Sequence, residues 1–596
     1  MTICPNCGVE NREGARFCKE CRSELTEAYV QVDQASKASA IPAQPASQAS
    51  DPPAATGKSK TPLVIGGVAG VVLICCVALI IIGVILGATG VLGNLFGPQH
   101  VTANIMPANT GFFTSFSPST LNSEGFAHLA DAYEDALKDV EFEQTMEDAE
   151  DELGISFEED VAPWLGSEVS VAIPNLGDVA DGEVPIIVLA AATKDSKASD
   201  AFLEKLRESI EDKDYDVEER TYGGVTFFEQ QVENDYEMPT VFGTVGKVVV
   251  ITNDVDAMED IIDTQQGKSD SLAKNAKHAD LMKALPKNAS MYMFVNIDDI
   301  IPLAEETEAG ISKDQLEGYE SVGMAIAVGT EGIQIDAAVT FDPTALKPDT
   351  LEAMKAQSKA NPGKILQEIP IDAVGFISSR DLAATWLITL DAIEEDPDTK
   401  EQLESMAESF GIDLDADLLA WATGEYALAF VKAKGDSPVG FFATFEVEDE
   451  SAAKSTMDDI ADAIEEQGGD FDSETIEGVD VQVMSDPYGE IWFGYGFADQ
   501  HLIIGFTEDG IKQGVGDVDP ITGDETFKTV QSHLPSQNTG YFYLNVEKTL
   551  DLIPPDALYD DQSLAFIEPI KAIGGASAVT NPDSGVSKGT VFIYIP

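Results

Sequence analysis

Cysteine is absent from this chain after Cys76, and four of its six cysteines lie within the first 25 residues. The long C-terminal part must therefore fold without disulfide bonds, even if it lies outside the cytoplasm. Basic residues are also scarce there. Residues 1–62 hold seven of the 35 Lys and Arg residues and seven of the 106 Asp and Glu residues, which leaves 28 basic against 99 acidic residues for the remainder.

This excess of acidic residues excludes one class of partner. A strongly negative surface repels phosphate backbones, so we expect no nucleic-acid binding by the C-terminal part. Cations, basic wall polymers and basic proteins are the partners that the charge permits. A solvated acidic surface, suited to high salt, is the interpretation that we favour.

Reactive motifs are missing as well. No pair among the five histidines has the HExxH spacing, and no GxSxG, phosphate-binding or dinucleotide fingerprint occurs outside the long apolar run described below. Enzymes need reactive groups of contrasting type in one place. The sequence therefore predicts a protein that acts by binding, as a scaffold, binding module or sensor, and not an enzyme. An extracytoplasmic hydrolase that uses carboxylates or calcium is the alternative.

One long apolar run interrupts the chain at 63–86, LVIGGVAGVVLICCVALIIIGVIL, with no charge and no proline. A run of ~20 or more apolar residues spans a bilayer as a helix, because a helix satisfies its own backbone in hydrocarbon. Lys58 and Lys60 precede the run, and the next basic residue is Lys138. The positive-inside rule then predicts a cytoplasmic N-terminus and an extracytoplasmic domain from about residue 100 at the cell membrane.

The apolar run also contains two GxxxG spacings, at Gly66 with Gly70 and at Gly83 with Gly87. Small residues at this spacing let two membrane helices approach closely, so the sequence leaves a homodimer open.

Residues 4–21 read CPNCGVENREGARFCKEC, a C-x2-C-x10-C-x2-C pattern formed by Cys4, Cys7, Cys18 and Cys21. Two such turns supply four thiolates in a tetrahedron, the arrangement of a closed structural zinc site. A disulfide pair and a redox C-x-x-C are less consistent with a reducing cytoplasm and with the absence of a βαβ pattern. Zinc is therefore the one cofactor that we predict. The segment resembles the short zinc ribbon at the N-terminus of many prokaryotic membrane proteins, although Arg22 stands where glycine is common.

Residues 26–60 are rich in Ala, Ser, Gln and Pro and predict a disordered linker.

An internal duplication follows the span. GISFEEDVAPWLGSEVSVAI begins at Gly154, and GIDLDADLLAWATGEYALAF begins at Gly411. The positions that match at one offset are Gly154, Asp160, Trp164, Glu168 and Ala172 with Gly411, Asp417, Trp421, Glu425 and Ala429. Further matches join Leu285-Pro286 to Leu534-Pro535 and Gly323 to Gly574. Matches over so many elements predict two similar units, at 101–347 and 348–596.

The pattern within each unit alternates strands with amphipathic helices. In the first unit we expect strands at 168–173, 185–192, 225–230, 241–252, 291–297 and 324–328, and helices at 200–211 and 255–264. Adjacent runs of strands indicate an α+β fold with largely antiparallel sheets.

The repeated acids are the best candidates for paired carboxylates. We expect Asp160 to cap a short turn beside the core residue Trp164, and Glu168 to open an exposed strand position, so that structure outweighs catalysis. Asp214, Asp216 and Glu218 alternate as if on one strand face. They lack the glycine and the bidentate glutamate of a calcium loop, so a solvated strand face is the favoured interpretation.

The large domain resembles a bacterial family of membrane-anchored proteins known only as a domain of unknown function. The resemblance rests on PANTGFFTSF at 107–116, ELGISFEEDVAPWLG at 152–166 and the paired Leu-Pro segments. It supports the architecture and implies no site residues, because the family has no established activity to carry over.

Overall fold

The computed structural model describes residues 2–3, 10–11, 101–134, 136, 150, 154–177, 184–232, 238–306, 313, 316–361, 363–382, 421–433, 438–553, 561–579 and 581–596. The chain divides into two units, 1–60 and 61–596. In the first unit, Thr2–Ile3 pairs with Glu10–Asn11 as a small antiparallel hairpin. The four cysteines of the predicted zinc site, Cys4, Cys7, Cys18 and Cys21, lie outside the described residues.

The second unit is built on a long antiparallel sheet. The strands contributed by the first half of this unit are β1 (Phe112–Phe116), β2 (Leu165–Ile173), β3 (Val188–Thr193), β4 (Val217–Tyr222), β5 (Val225–Gln230), β6 (Val241–Val245), β7 (Val248–Thr252), β8 (Met291–Asn296), β9 (Tyr319–Gly329) and β10 (Gly332–Phe341). The second half contributes β11 (Gly375–Arg380), β12 (Glu425–Lys432), β13 (Val439–Glu446), β14 (Asp472–Ile476), β15 (Val479–Ser485), β16 (Ile491–Ala498), β17 (His501–Phe506), β18 (Tyr541–Asn545), β19 (Ala572–Ser577) and β20 (Val586–Tyr594).

The strand order of the first half repeats in the second. The first half runs β4-β5-β6-β7-β3-β2-β1-β8-β9-β10 across the sheet, and the second runs β14-β15-β16-β17-β13-β12-β11-β18-β19-β20. Each strand of one half thus has a counterpart ten strands later in the chain. The register identifies equivalent residues: Phe113 faces Ala172 in the first half, as Phe376 faces Ala429 in the second.

The two halves join edge to edge. β10 pairs with β20 in antiparallel register, so that the described strands form one twenty-stranded sheet. Asp336 lies opposite Thr590, and Thr590 is also the residue of the second half that corresponds to Asp336. The Thr590 hydroxyl donates to Asp336 Oδ1 over 2.7 Å. An approximate two-fold axis therefore passes between these two residues.

Helices cover both faces of the sheet. Their bounds are α1 (Glu124–Ala132), α2 (Ser196–Glu211), α3 (Val255–Gln265), α4 (Ala276–Ala284), α5 (Ile297–Glu306), α6 (Pro348–Gln357), α7 (Glu450–Glu466), α8 (Glu508–Val515), α9 (Glu525–Ser532), α10 (Val546–Leu550) and α11 (Asp561–Ile567). Side chains cap several of these helices at the N-terminus, which satisfies amides that have no partner within the helix. Asp195 caps α2 and its counterpart Asp449 caps α7 in the same way.

Each half has a hydrophobic core on either side of the sheet. One core of the first half contains Trp164, Phe126 and Met293, and the other contains Phe113, Phe227 and Phe294. In the second half Trp421 and Tyr495 lie in one core, and Phe376, Phe442 and Tyr543 lie in the other.

The predicted α+β class with antiparallel strands is confirmed. The helix expected at 255–264 is α3, and the strand expected at 225–230 is β5. The single strand expected at 241–252 is wrong, because the chain turns at Gly246, whose φ is +65°, and forms β6 and β7.

Within the described residues, no helix reaches the length and mean hydropathy that a membrane crossing needs. The predicted span at 63–86 and the predicted linker lie outside those residues.

Candidate functional site: a charged row in the second half

The repeated glutamates Glu168 and Glu425 are buried, with 0 % and 2 % of their surface exposed. In the first half, Glu168 Oε2 accepts the backbone N–H of Thr102 over 3.0 Å, at the start of a short 3-10 helix at Thr102–Asn104. In the second half, Glu425 Oε2 accepts the N–H of Ile365 over 2.9 Å in the equivalent 3-10 helix at Lys364–Gln367. The expectation that Glu168 opens an exposed strand position is therefore wrong. Both carboxylates clamp a helical turn onto the sheet, which a pattern of strand residues alone does not reveal.

Asp160 has a capping role. Its Oδ2 accepts the N–H of Ser156 over 2.7 Å at the start of the helical turn Phe157–Val161, and it also pairs with Lys205 of α2. Burial acts upward on the pKa of Asp160, but the bonds from Lys205 and Ser156 outweigh it and hold the pKa below its ordinary value. Trp164 follows this turn and packs on Phe202 with ring centroids 5.1 Å apart. Asp417, the counterpart of Asp160, lies outside the described residues.

The three carboxylates proposed for one strand face do not share one. Asp214 lies in a turn with φ +66°, and β4 begins only at Val217, so Glu218 alone is a strand residue. All three side chains are exposed, as are their counterparts Asp470, Asp472 and Glu474. Across the described part of the chain, no three His, Cys, Asp or Glu side chains converge as a metal site would require.

Glu425 belongs to a larger arrangement that the sequence analysis missed. Arg380 of β11 lies opposite Glu425 of β12, and His501 of β17 lies opposite Glu446 of β13. Glu446 Oε2 accepts the backbone N–H of Glu425 over 3.2 Å. Lys364 lies above the row, with its Nζ 3.3 Å from Glu446 Oε1. These five residues, which we call the charged row, cross four adjacent strands on one face of the sheet, because residues opposite each other in an antiparallel pair point to the same side.

The two carboxyl groups of the charged row are shifted in opposite directions. Burial raises the pKa of Glu425, and the neighbouring Glu446 adds to the rise, while the Ile365 N–H, Lys364 and Arg380 act against it. Burial also acts upward on the pKa of Glu446, but the Glu425 N–H and Lys364 outweigh it, so this pKa lies below its ordinary value. Neighbouring carboxyl groups with diverging pKa values are found where proteins hold a proton at one defined position.

The first half lacks this arrangement although its backbone is equivalent. The positions that correspond to Lys364, Arg380, Glu446 and His501 are Val101, Ser117, Ala192 and Val248. Only the glutamate clamp is common to both halves. The clamp therefore belongs to the scaffold, and the other four charged or titratable groups are a specific property of the second half. Aligning the two halves position by position is the one comparison within the sequence that could have found them.

Access to the charged row is unequal. Among the described residues Glu425 Oε1 has no hydrogen-bond partner, and burial keeps it from bulk solvent. The side chains of Glu446 and Lys364 are 32 % and 71 % exposed. Glu425 is thus too deep to meet a substrate directly, whereas Glu446 and Lys364 can contact a polar partner at the surface.

The other described histidines have structural surroundings. His278 is buried and lies edge-on to Phe113 and Phe294. Its counterpart Phe527 lies edge-on to Phe376 and Tyr543, so the histidine replaces a core aromatic ring. His533 stacks on Phe592 with centroids 3.7 Å apart. His128 Nε2 lies 2.9 Å from the carbonyl oxygen of Ile595. None of these contacts joins the charged row.

A family model described as a protein of unknown function, DUF3352, matches residues 68–595. The chain belongs to this family. The match spans nearly all of the predicted extracytoplasmic domain, so the repeated sheet is the framework of a DUF3352 protein. No curated protein matches the chain. A solved structure titled crystal form III of TP0453 is similar at 7 % identity and a TM-score of 0.24, covering 40 % of this chain and 79 % of that one.

Proposed function

We propose that this DUF3352 protein is a single-pass membrane protein whose acidic extracytoplasmic domain acts by binding, as a scaffold or sensor, with a structural zinc ribbon in the cytoplasm. The observation that carries the binding role is the difference between the halves. Both halves keep the buried glutamate clamp, and the second half alone adds the four groups of the charged row. A duplicated scaffold in which one copy has diverged at its surface is suited to one copy contacting a partner.

The arrangement supports binding over carboxylate catalysis. Glu168 and Glu425 are each committed through one oxygen to a backbone N–H, and Asp160 is held by Lys205 and Ser156. A general acid or base must lie within hydrogen-bond reach of a substrate proton. Glu446 is the more exposed of the two carboxylates in the row, and it is already paired with Lys364.

Photo-crosslinking in intact cells tests the binding role. A photoreactive residue is placed in the full-length chain at one of four positions. In the second half these are Lys364 of the charged row and the exposed Phe542 of β18, and in the first half they are Val101, the counterpart of Lys364, and the exposed Leu189 of β3. We expect a discrete crosslinked product from the second-half positions and none from the first-half positions. Equal products from both halves, or products from the first half alone, would contradict the proposal.

Two further measurements test the anchor and the ribbon. A cysteine placed near residue 110 should react with a membrane-impermeant thiol reagent on intact cells, and one near residue 45 should not. Purified full-length protein should contain one zinc per chain, and Cys18→Ser should release it, because a ribbon this small folds only with its metal. Reversed labelling rejects the topology, and protein without stoichiometric zinc rejects the ribbon.

A further inference from the structure

The second half exposes a continuous apolar surface on the sheet face opposite the charged row. Ile377 of β11 lies opposite Phe542 of β18. In the next row Phe430 lies opposite Phe441, and Phe441 lies opposite Phe506. The row ends at Phe493 of β16, whose ring centroid is 5.5 Å from that of Phe506. We call these six residues the aromatic face: Ile377, Phe430, Phe441, Phe493, Phe506 and Phe542.

Four rings of the aromatic face form a connected row, and four of its six side chains are exposed. The ring centroids of Phe430 and Phe441 are 5.5 Å apart, and those of Phe441 and Phe506 are 5.4 Å apart. Ile377 is 44 % exposed and Phe542 is 43 % exposed. Phe430 and Phe506 are 41 % and 39 % exposed. Contiguous exposed apolar patches of this kind mark interaction sites, whereas single exposed apolar residues are ordinary.

The first half again serves as an internal comparison. Its equivalent positions are Thr114, Ile173, Ile187, Thr240, Asn253 and Met293, none of them aromatic. Thr114 and Met293 are buried, and Met293 shares a core with Phe126 and Leu129 of α1. Five aromatic rings at six positions therefore distinguish the second half, and aromatic side chains are enriched at the centre of protein interfaces.

We propose that the aromatic face binds a polypeptide segment that combines apolar with Lys or Arg side chains; this rests on the proposed binding role and names the partner's chemistry. The charge of the chain selects this occupant. The region that carries the face has 99 acidic and 28 basic residues, and exposed Glu490 lies three residues before Phe493 in the chain. A cationic segment is attracted by this field, while a second copy of the chain and an anionic lipid surface are repelled. Aromatic rings also attract cations over their faces.

The test measures binding of a fluorescent peptide of alternating Leu and Lys to the purified full-length chain, beside a peptide of alternating Leu and Glu. The variant Phe430→Ser/Phe542→Ser removes two exposed rings. The matched control Ile187→Ser/Leu189→Ser removes two exposed apolar side chains from the first half, which are 41 % and 44 % exposed. We expect the Lys peptide to bind and the Phe430→Ser/Phe542→Ser chain to bind it at least about tenfold more weakly, since two apolar rings are then missing from the contact surface. The control should bind the Lys peptide within about twofold of wild type, because its two substituted side chains lie outside the aromatic face.

Each of the following results would overturn the proposal. These are no binding of the Lys peptide, equal binding of the Glu peptide, equal weakening in both variants, or a wild-type dimer that Phe430→Ser/Phe542→Ser dissociates, which would make a second copy the occupant. A thiol reagent that fails to reach Phe430→Cys in the unbound chain also overturns it, because the face would then be covered by the chain itself. If the second half gives a crosslinked product but the chain does not bind the Lys peptide, the proposed function stands and the proposed partner chemistry is rejected.

Discussion

At the scale of single residues, the buried carboxyl of Glu425 makes stability depend on pH. Because its pKa is raised in the folded chain, folding favours the protonated form. The stabilisation is therefore fully present below the unfolded pKa and is lost as pH rises through the folded pKa. Glu425→Gln cannot ionise and keeps an acceptor for the Ile365 N–H. The free energy of unfolding of this variant should therefore increase relative to that of wild type as pH rises above about 4.5.

Urea unfolding at several pH values from 4 to 8 measures this difference. Glu425→Ala is the matched control. It cannot ionise either, but it leaves the Ile365 N–H without its acceptor, so it should be about 1–3 kcal/mol less stable than Glu425→Gln at every pH. A Gln variant that loses stability relative to wild type as pH rises would show that the ionised carboxylate is the favoured form.

Single residues are also where the sequence was least informative. Capping by Asp160 could be predicted, because its partner Ser156 lies four residues away in the chain. The depth of Glu168 could not, because its partner Thr102 lies 66 residues away. The charged row joins residues from four strands and one 3-10 helix, so only the register of the sheet brings them together.

At the scale of elements, two helices in equivalent places use the same cap. Asp195 accepts the N–H groups of Lys197 and Ala198, and Asp449 accepts those of Ser451 and Ala452. Asp195→Ala and Asp449→Ala should each destabilise its helix by about 1 kcal/mol. Hydrogen exchange should then accelerate about fivefold in the first turn of α2 or α7, and only there. Exchange that is unchanged, or that rises in the other half of the chain, would contradict these caps.

Elements were more predictable than sites because their patterns are local. The amphipathic spacing of 200–211 and 255–264 located α2 and α3 within four residues at each end. The tight turn at Gly246 was missed because the Val-rich segments Val241–Val245 and Val248–Thr252 were read as one strand, although Gly246-Lys247 between them is a turn signal.

At the scale of the whole molecule, the halves depend on the pairing of β10 with β20. Thr590→Val keeps the shape of the side chain but removes the hydroxyl that donates to Asp336 at the approximate two-fold axis. We expect a loss of about 1–3 kcal/mol and faster hydrogen exchange in both central strands. Ser587→Ala on β20 is the control and should stay within about 0.5 kcal/mol of wild type. Faster exchange in β20 alone would mean that the halves are not coupled through this pair.

The duplication itself was readable from matched positions such as Trp164 with Trp421, which both anchor buried cores. The fusion of the halves into one sheet was not readable, because β10 and β20 are about 250 residues apart and edge strands carry no pattern that names their neighbour.

The central claim is that one fold occurs twice and that, in the part of the chain that the structure describes, the second copy alone lines this face of the sheet with exposed aromatic rings. The labelling rates of Phe542→Cys and Met293→Cys test it most directly, because these positions are equivalent and are 43 % and 5 % exposed. The chain has no native cysteine after Cys76, so any label on peptides from this region reports the introduced thiol. We expect Phe542→Cys to react at least about tenfold faster, since a buried thiol must wait for local opening. Equal rates at the two positions would contradict the account.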